Sequence, residues 1–222
     1  MISRYHIPIF PISIFQSPVR DNRRIQELVY PMIKKSSGKH DVPPEGWLTN
    51  KLITSFEDDD FNDNLLSDEG IGKEIKDQYV EAMGTFFNTS FECDITDIWY
   101  NYYIDQEYQE SHTHFGNYNQ PNHYACVHFL SFNPQIHAPL TFDDPLRLVR
   151  SWSHEMTGFS GYSDKFHVNA REGDLVMFPA YLEHEVKAAP PTPEYPRITI
   201  SFNVSILKFG EELQNDGISK SI

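Results

Sequence analysis

The sequence is poor in cysteine and has no long apolar run. It contains two cysteines among 222 residues, Cys93 and Cys126. They are too few for a disulfide framework, and their apolar surroundings favour two reduced core thiols in a cytoplasmic protein. No run of about 18 apolar residues is present, so we expect no membrane span. The apolar segment Met1–Phe15 is interrupted by charged residues and prolines, which favours an edge strand over a signal peptide.

Basic residues are also scarce. Lysine and arginine together number 18 against 32 aspartates and glutamates, which gives a formal net charge of −14. Surfaces that bind nucleic acid are usually basic. We therefore predict no clear nucleic-acid surface and favour a small molecule or a peptide as the partner, although an acidic protein can still act on nucleic acid locally.

The pattern of apolar residues predicts helices first and strands afterwards. Spacings of three and four indicate helices over Asp21–Ser36, with Asp21 as N-cap, and over Glu69–Phe87. The acidic run Glu57–Asp63 is interpreted as a solvated loop. From Glu92 onward, turn signals separate short strand-like runs: Ile95–Ile104, Tyr108–His114, His123–Phe132, Leu140–Phe142, Ser151–Thr157, Lys165–Val168, Asp174–Phe178, Leu182–Lys187 and Arg197–Leu207.

This order predicts a mainly β fold with N-terminal helices packed on one sheet of a β sandwich or jelly roll. We find no internal repeat and no long linker. The simplest organisation is one domain over 1–222, with a strand and helical support in 1–91, a β core in 92–207 and a tail in 208–222.

A pair of histidines lies in the second of these strands. Alternate residues of a strand share a face, so His112 and His114 project together while Thr113 points away. Two imidazoles on one face can bind one metal ion. A His-x-His pair at a surface is common by chance, so this pair alone leaves a metal site and a chance occurrence about equally supported.

A third histidine follows a buried strand. By the same alternation His184 shares a face with Leu182 and Val186, and a histidine between two apolar positions needs a buried partner. A hydrogen-bonded core histidine and a metal ligand both satisfy that requirement.

The last strand alternates without exception from Arg197 to Val204: odd positions are polar and even positions apolar. A solvated outer face is the ordinary cause of such a pattern. Here the polar face begins with Arg197 and Thr199, which are suited to a cleft that binds a carboxylate.

Several motifs in this order resemble the Fe(II)- and 2-oxoglutarate-dependent oxygenases, and more narrowly a family of them found widely in bacteria and phages. They are Trp99-Tyr100-Asn101, His112-Thr113-His114, Leu140-Thr141-Phe142-Asp143-Asp144-Pro145, Phe178-Pro179 with His184, and Arg197-Ile198-Thr199-Ile200-Ser201-Phe202-Asn203. The resemblance covers roughly residues 92–207. It implies a double-stranded β-helix, a cupin-like barrel with Fe(II) at its mouth and 2-oxoglutarate as co-substrate.

The resemblance also implies roles for individual residues. His112 and His184 match two iron ligands, and His114 stands where an aspartate or glutamate is common. We favour His114 as third ligand, with Glu110, Asp143 and Asp144 as the carboxylate alternatives. Arg197 matches the residue that pairs with the distal carboxylate of 2-oxoglutarate, Thr199 its hydroxyl partner, and Tyr102 the co-substrate tyrosine of prolyl-hydroxylase-like relatives.

The implied activity is hydroxylation of an unidentified substrate while 2-oxoglutarate is decarboxylated to succinate. No catalytic residue is expected beyond the metal ligands. If the gene is carried by a phage, the host cytoplasm is the expected location. Two alternatives stay open: a cupin-like metalloprotein that does not use 2-oxoglutarate, and a non-catalytic β-sandwich binding module whose histidines are structural. The acidic segment Glu57–Asp63 and the loop Gly116–Pro121 are the expected substrate rim.

Overall fold

The computed structural model of the protein describes residues 12–36, 47–48, 52–87, 89–116, 121–157 and 163–210. Within these ranges the elements follow in the order β1 (Phe15–Pro18), α1 (Asn22–Ser36), β2 (Ile53–Thr54), α2 (Asp59–Leu66), α3 (Gly70–Gly84), β3 (Phe91–Tyr103), β4 (Gln109–His112), β5 (Tyr124–Ser131), β6 (Leu140–Asp143), α4 (Arg147–Thr157), β7 (Lys165–His167), β8 (Asp174–Pro179), β9 (His184–Val186) and β10 (Arg197–Phe209). None of the described helices is both long enough and apolar enough to cross a membrane.

The strands form two antiparallel sheets. The larger sheet has the order β1-β8-β5-β10-β3-β2, and the smaller has the order β4-β9-β6-β7. Strand β10 lies inside the larger sheet, where it pairs with β3 on one side and β5 on the other. The smaller sheet carries His112 and His184, which are paired across β4 and β9.

The N-terminal helices cover the outer face of the larger sheet. One hydrophobic cluster joins Ile25 and Val29 of α1, Tyr79 of α3, and the even-numbered residues Ile200 and Phe202 of β10. The predicted apolar stripe of α1 is therefore confirmed. Asp21 also accepts a hydrogen bond from the Arg24 amide at 3.0 Å, as expected of an N-cap.

A second hydrophobic cluster fills the space between the two sheets. It includes Phe129, Val176 and Phe178 of the larger sheet and Phe142 of the smaller one. Because the even residues of β10 face the helices, its odd residues face this interior. The polar side of the last strand is thus an inner face, and the ordinary explanation of a solvated outer face is wrong.

Two local expectations are also wrong. The predicted strand Ser151–Thr157 belongs to helix α4. The Asp144-Pro145 pair begins this helical region, since Asp144 accepts a hydrogen bond from the Leu146 amide at 2.9 Å.

The acidic run Glu57–Asp63 was expected to be a loop, and most of it forms α2. The Asp58 carboxylate caps this helix by accepting from the Phe61 amide, and Asp59 and Asp60 lie in its first turn. Carboxylates at a helix N-terminus interact favourably with the helix dipole. Phe61 and Leu65 are buried, four residues apart. An acidic N-terminal turn followed by this apolar pair explains the helix.

Other expectations concern the N-terminus and the cysteines. Strand β1 is at the edge of the larger sheet, but it shares only Phe15 with the predicted strand Met1–Phe15. Residues 12–14 are not in a strand, and residues 1–11 lie outside the described residues. Cys93 and Cys126 are both free thiols.

In the turn before β8, Gly173 has φ of 87°, a conformation that favours glycine. The division of 1–222 into support, core and tail stays a prediction.

Candidate metal centre and co-substrate cavity

Three histidines converge at one end of the space between the sheets. His112 ends β4, His114 follows two residues later, and His184 begins β9. The Nε2 atoms of His114 and His184 are 3.2 Å apart. One nitrogen atom from each of the three rings lies within 4.8 Å of the other two.

Hydrogen bonds orient each ring in the same way. Nδ1 of His112 lies 2.7 Å from the carbonyl oxygen of Glu110, and Nδ1 of His184 lies 3.0 Å from that of Leu182. Nδ1 of His114 lies 2.9 Å from the side-chain oxygen of Asn203. Since every Nδ1 faces an acceptor, the ring proton belongs on Nδ1 and the lone pair is left on Nε2.

The rings are neutral at physiological pH because His184 is buried and the other two rings are partly buried beside it. Burial lowers the pKa of His114 to about 3, and the nearby His112 ring acts in the same direction. Burial likewise lowers the pKa of His184 well below its ordinary value and lowers that of His112. Neutral imidazole is the form that binds metal ions.

These nitrogens fit a metal ion. The Nε2 atoms of His114 and His184 carry lone pairs that face each other without a proton between them, which is repulsive unless a cation lies at that point. Two metal–nitrogen bonds of about 2.1 Å at a right angle would place the two nitrogens about 3 Å apart, close to the observed separation. Three neutral histidines also leave coordination positions open.

The carboxylates considered as a third ligand have other partners. Asp143 accepts from Lys165 Nζ at 2.6 Å and from Ser111, and Asp144 forms an ion pair with Arg150 at 3.1 Å. Glu110 accepts from the Leu48 amide at 2.9 Å. Within the described part of the chain, the metal-binding group contains the three histidines and no carboxylate.

Arg197 is buried in the cavity that these histidines line. Arg197 is only 3% exposed, and none of its three guanidinium nitrogens has a hydrogen-bond partner among the described residues. The guanidinium carbon is 4.6 Å from the centre of the Tyr103 ring, with Phe129 and Phe132 slightly farther away. Burial lowers the pKa of Arg197, but arginine stays charged at neutral pH. The cavity of about 450 Å³ therefore contains a buried cation that no described residue neutralises.

The tyrosine beside Arg197 is Tyr103, and the expectation for Tyr102 needs correction. Tyr103 is directly opposite Arg197 in the β3–β10 ladder and lines the cavity. Tyr102 is opposite Ile198 and packs with the cluster under the helices. Successive residues of a strand point to opposite faces, so an error of one position moves the side chain out of the cavity.

The polar side of β10 continues along the cavity from Arg197 to the histidines. Thr199, Ser201 and Asn203 are all buried and line it. Sequence reasoning identified this polar face but missed the contact between Asn203 and His114. It also missed Trp99, whose indole stacks on the His114 ring at 5.7 Å. The Trp99-Tyr100-Asn101 motif was the available signal for the contact between Trp99 and His114.

The mouth of the cavity is apolar and aromatic. Trp47 contacts Phe56, and Phe56 meets Trp99 edge to face. Leu48 and Phe115 also line the cavity and are 79% and 70% exposed. None of the residues 57–63, expected at the substrate rim, lines this cavity. Of the expected loop Gly116–Pro121, residues 117–120 lie outside the described residues.

Solved structures share this fold. They include a Pseudomonas putida prolyl-4-hydroxylase (TM-score 0.51, 12% identity, 86% of this chain and 92% of that one covered). A second is a Trichoplax adhaerens prolyl hydroxylase in complex with a hypoxia inducible factor oxygen degradation domain peptide fragment (0.55, 12%, 86% and 82%). A third is AviO1 from Streptomyces viridochromogenes (0.56, 11%, 90% and 93%). A comparison with the curated proteins finds no match.

These structures have a double-stranded β-helix, so the fold that the sequence predicted is confirmed. Residues 97–203 match the model of the family described as "Putative 2OG-Fe(II) oxygenase". The matched range includes the three histidines, Arg197 and Thr199. This match supports a 2OG-Fe(II) oxygenase, with Fe(II) as the metal and 2-oxoglutarate as the co-substrate.

Proposed function

We propose that this oxygenase hydroxylates a small molecule or a peptide, with its metal bound by the Nε2 atoms of His112, His114 and His184. In the same proposal, Arg197 forms a two-point ion pair with the distal carboxylate of 2-oxoglutarate. Thr199 lies two residues along the same strand face as a hydroxyl partner, and Tyr103 takes the position expected for Tyr102.

The buried guanidinium of Arg197, which has no hydrogen-bond partner in the described part of the chain, is the observation on which this proposal rests. An isolated ion in a protein interior costs several kcal/mol relative to water. A dicarboxylate that reaches both the histidines and Arg197 supplies the missing counterion with charge-assisted hydrogen bonds. A cupin-like protein that does not use 2-oxoglutarate would give this arginine nothing to bind, and a structural role for the histidines would not explain three converging lone pairs.

With Fe(II) bound, such a site couples the oxidative decarboxylation of 2-oxoglutarate to succinate and CO₂ with the insertion of one oxygen atom from O₂ into a substrate C–H bond. The chain's own residues orient the reactants. Arg197 and Thr199 position the co-substrate, and the hydrogen bonds at the three Nδ1 atoms keep the rings turned inward. The apolar wall of Phe129, Phe142 and Phe178 limits water around them.

Three observations support the substrate class. The mouth is lined by exposed apolar side chains, Leu48 and Phe115, which suit an apolar group or a peptide side chain. The net charge of −14 favours neutral or basic substrates over nucleic acid. The similar structure from Trichoplax adhaerens holds a peptide fragment. We place the activity in the cytoplasm, where two free thiols stay reduced.

Succinate release from 2-oxoglutarate in the presence of Fe(II) tests the proposal, first without and then with candidate peptides and small molecules. Wild-type protein is expected to release succinate, and Arg197→Ala to lose both turnover and 2-oxoglutarate binding. Arg171→Ala, at an exposed arginine, is the matched control. Iron binding without any 2-oxoglutarate binding would instead support the cupin-like alternative. Unchanged iron binding in His112→Ala and His184→Ala would refute the metal assignment.

A further inference from the structure

The three histidines differ in what orients them. His112 and His184 each turn Nδ1 toward the main-chain carbonyl two residues earlier, at Glu110 and Leu182. The acceptors of those hydrogen bonds are main-chain atoms of β4 and of the turn before β9, so no side-chain substitution removes them. The acceptor for His114 is a side chain, Asn203, which is 89 residues away in sequence. Only this third ring therefore depends on a replaceable group.

The orientation of the Asn203 amide follows from a second contact. Its Nδ2 lies 3.0 Å from a carboxylate oxygen of Asp97. An ionised carboxylate only accepts hydrogen bonds, so the amide must present its NH₂ group to Asp97 and its oxygen to His114. The oxygen only accepts as well, so Nδ1 of His114 must carry the ring proton. The contacts run in one direction, from His114 through Asn203 to Asp97.

We propose that Asn203, oriented by Asp97, is a positioning residue that sets the tautomer of His114 and thereby gives the third ligand its free Nε2 lone pair. This inference rests on the proposed metal site. It also accounts for a histidine in a position where a carboxylate is common. A carboxylate ligand needs no tautomer, whereas a neutral imidazole offers the metal a lone pair only if its proton is placed on the other nitrogen.

Burial makes the contact strong. Asn203 is 6% exposed, and His114 is enclosed by the Trp99 indole and by the Phe178 ring. Water has little access to replace the Asn203 oxygen. Loss of an outer partner of this kind typically weakens metal binding about 10- to 100-fold.

The experiment uses the full chain and two readouts. The first is the long-range ¹H–¹⁵N correlation spectrum of the metal-free protein, in which His114 is identified by the loss of its signals in His114→Ala. The second is the dissociation constant for Co(II), used as a probe of the site. We expect wild-type protein to show His114 protonated at Nδ1, and Asn203→Leu to show a mixture of tautomers and Co(II) binding weakened about 10- to 100-fold.

Two further variants keep the test decisive if Asn203→Leu does not fold. Asp97 is exposed, so Asp97→Ala should fold, and it should release the amide to rotate, giving a mixed tautomer and a smaller loss of affinity. The double variant Asn203→Asp, Asp97→Asn preserves the direction of the hydrogen bonds. The new carboxylate at 203 accepts from His114, and the new amide at 97 donates to that carboxylate. The double variant is expected to restore the tautomer and at least the wild-type affinity.

Asn122→Leu is the matched control, because that amide donates to the main-chain carbonyl of His114 at 3.0 Å and does not touch its ring. It should leave the tautomer unchanged. An unaltered tautomer in Asn203→Leu and Asp97→Ala, or an equal change in Asn122→Leu, would overturn the inference. If wild-type protein binds no metal, the proposed metal site is wrong, while the tautomer of the metal-free protein still decides the role of Asn203.

Discussion

Replacing Arg197 with methionine separates the stability of the protein from its capacity to bind a co-substrate. Methionine keeps most of the length and apolar volume of the side chain and removes its charge. Because the guanidinium is 3% exposed and none of its nitrogens has a partner at hydrogen-bond geometry among the described residues, the variant loses no ion pair in the protein without ligand, and its polar interaction with Tyr103 is weak. It does lose the contact with the Tyr103 ring at 4.6 Å.

The two effects differ in size. Burial of an unpaired ion costs several kcal/mol, whereas a desolvated cation–aromatic contact contributes about 2 kcal/mol. We therefore expect Arg197→Met to raise the free energy of unfolding of the ligand-free protein by about 1–3 kcal/mol. Two charge-assisted hydrogen bonds of about 1.5–3 kcal/mol each are lost on the ligand side, so 2-oxoglutarate should bind at least about 100-fold more weakly.

Urea unfolding, with and without 2-oxoglutarate and a redox-inert divalent metal, measures both effects. The co-substrate should stabilise the variant much less than wild-type protein at the same concentration. Arg171→Met, at an exposed position, controls for the general effect of removing an arginine. If Arg197→Met unfolds more easily than wild type without ligand, Arg197 has a structural partner and the argument from an uncompensated charge is wrong.

Three further predictions concern the ligands, the co-substrate tyrosine and acid stability. His114→Ala should weaken Co(II) binding more than about 100-fold, which exceeds the effect of removing a hydrogen-bond partner of a ligand. Asp143→Asn should leave Co(II) binding nearly unchanged. If Asp143→Asn weakens binding more than His114→Ala does, the carboxylate is the ligand. Tyr103→Phe should raise the dissociation constant of 2-oxoglutarate about 2- to 10-fold through one lost hydrogen bond, and Tyr102→Phe should not change it. Burial lowers the pKa of His128 to about 3 in the folded protein. As the pH falls below about 6.5, this histidine is protonated in the unfolded chain but not in the folded protein, so the free energy of unfolding decreases with decreasing pH. Between pH 6.5 and 5 this histidine should account for about 2 kcal/mol of that loss in urea unfolding, and an unchanged pH dependence in His128→Gln would contradict the assignment.

Most elements could be predicted because their patterns are local. Helix α3, predicted over Glu69–Phe87, runs from Gly70 to Gly84, and the strands from β3 to β10 lie within or near their predicted ranges. Strand β2 was not predicted, and β1 shares only Phe15 with its predicted strand. The helices α2 and α4 were also missed, because the aspartate before each of them is equally typical of a turn. A short amphipathic segment such as Ser151–Thr157 fits a strand or a helix until its packing is known.

The sequence alone determined which side chains can share a face. Alternation along a strand has a period of two, so Arg197 was certain to project with Thr199 in any sheet that contains them. His114 lies beyond the end of β4, so its approach to His112 depends on the path of the chain after the strand. The motif order was enough to indicate iron and 2-oxoglutarate. Tertiary structure decided which face is the inner one, because that depends on where the helices pack. It placed Tyr103 instead of Tyr102 beside Arg197, and it brought Asn203 to His114, since pairing between distant strands has no signature in either strand by itself.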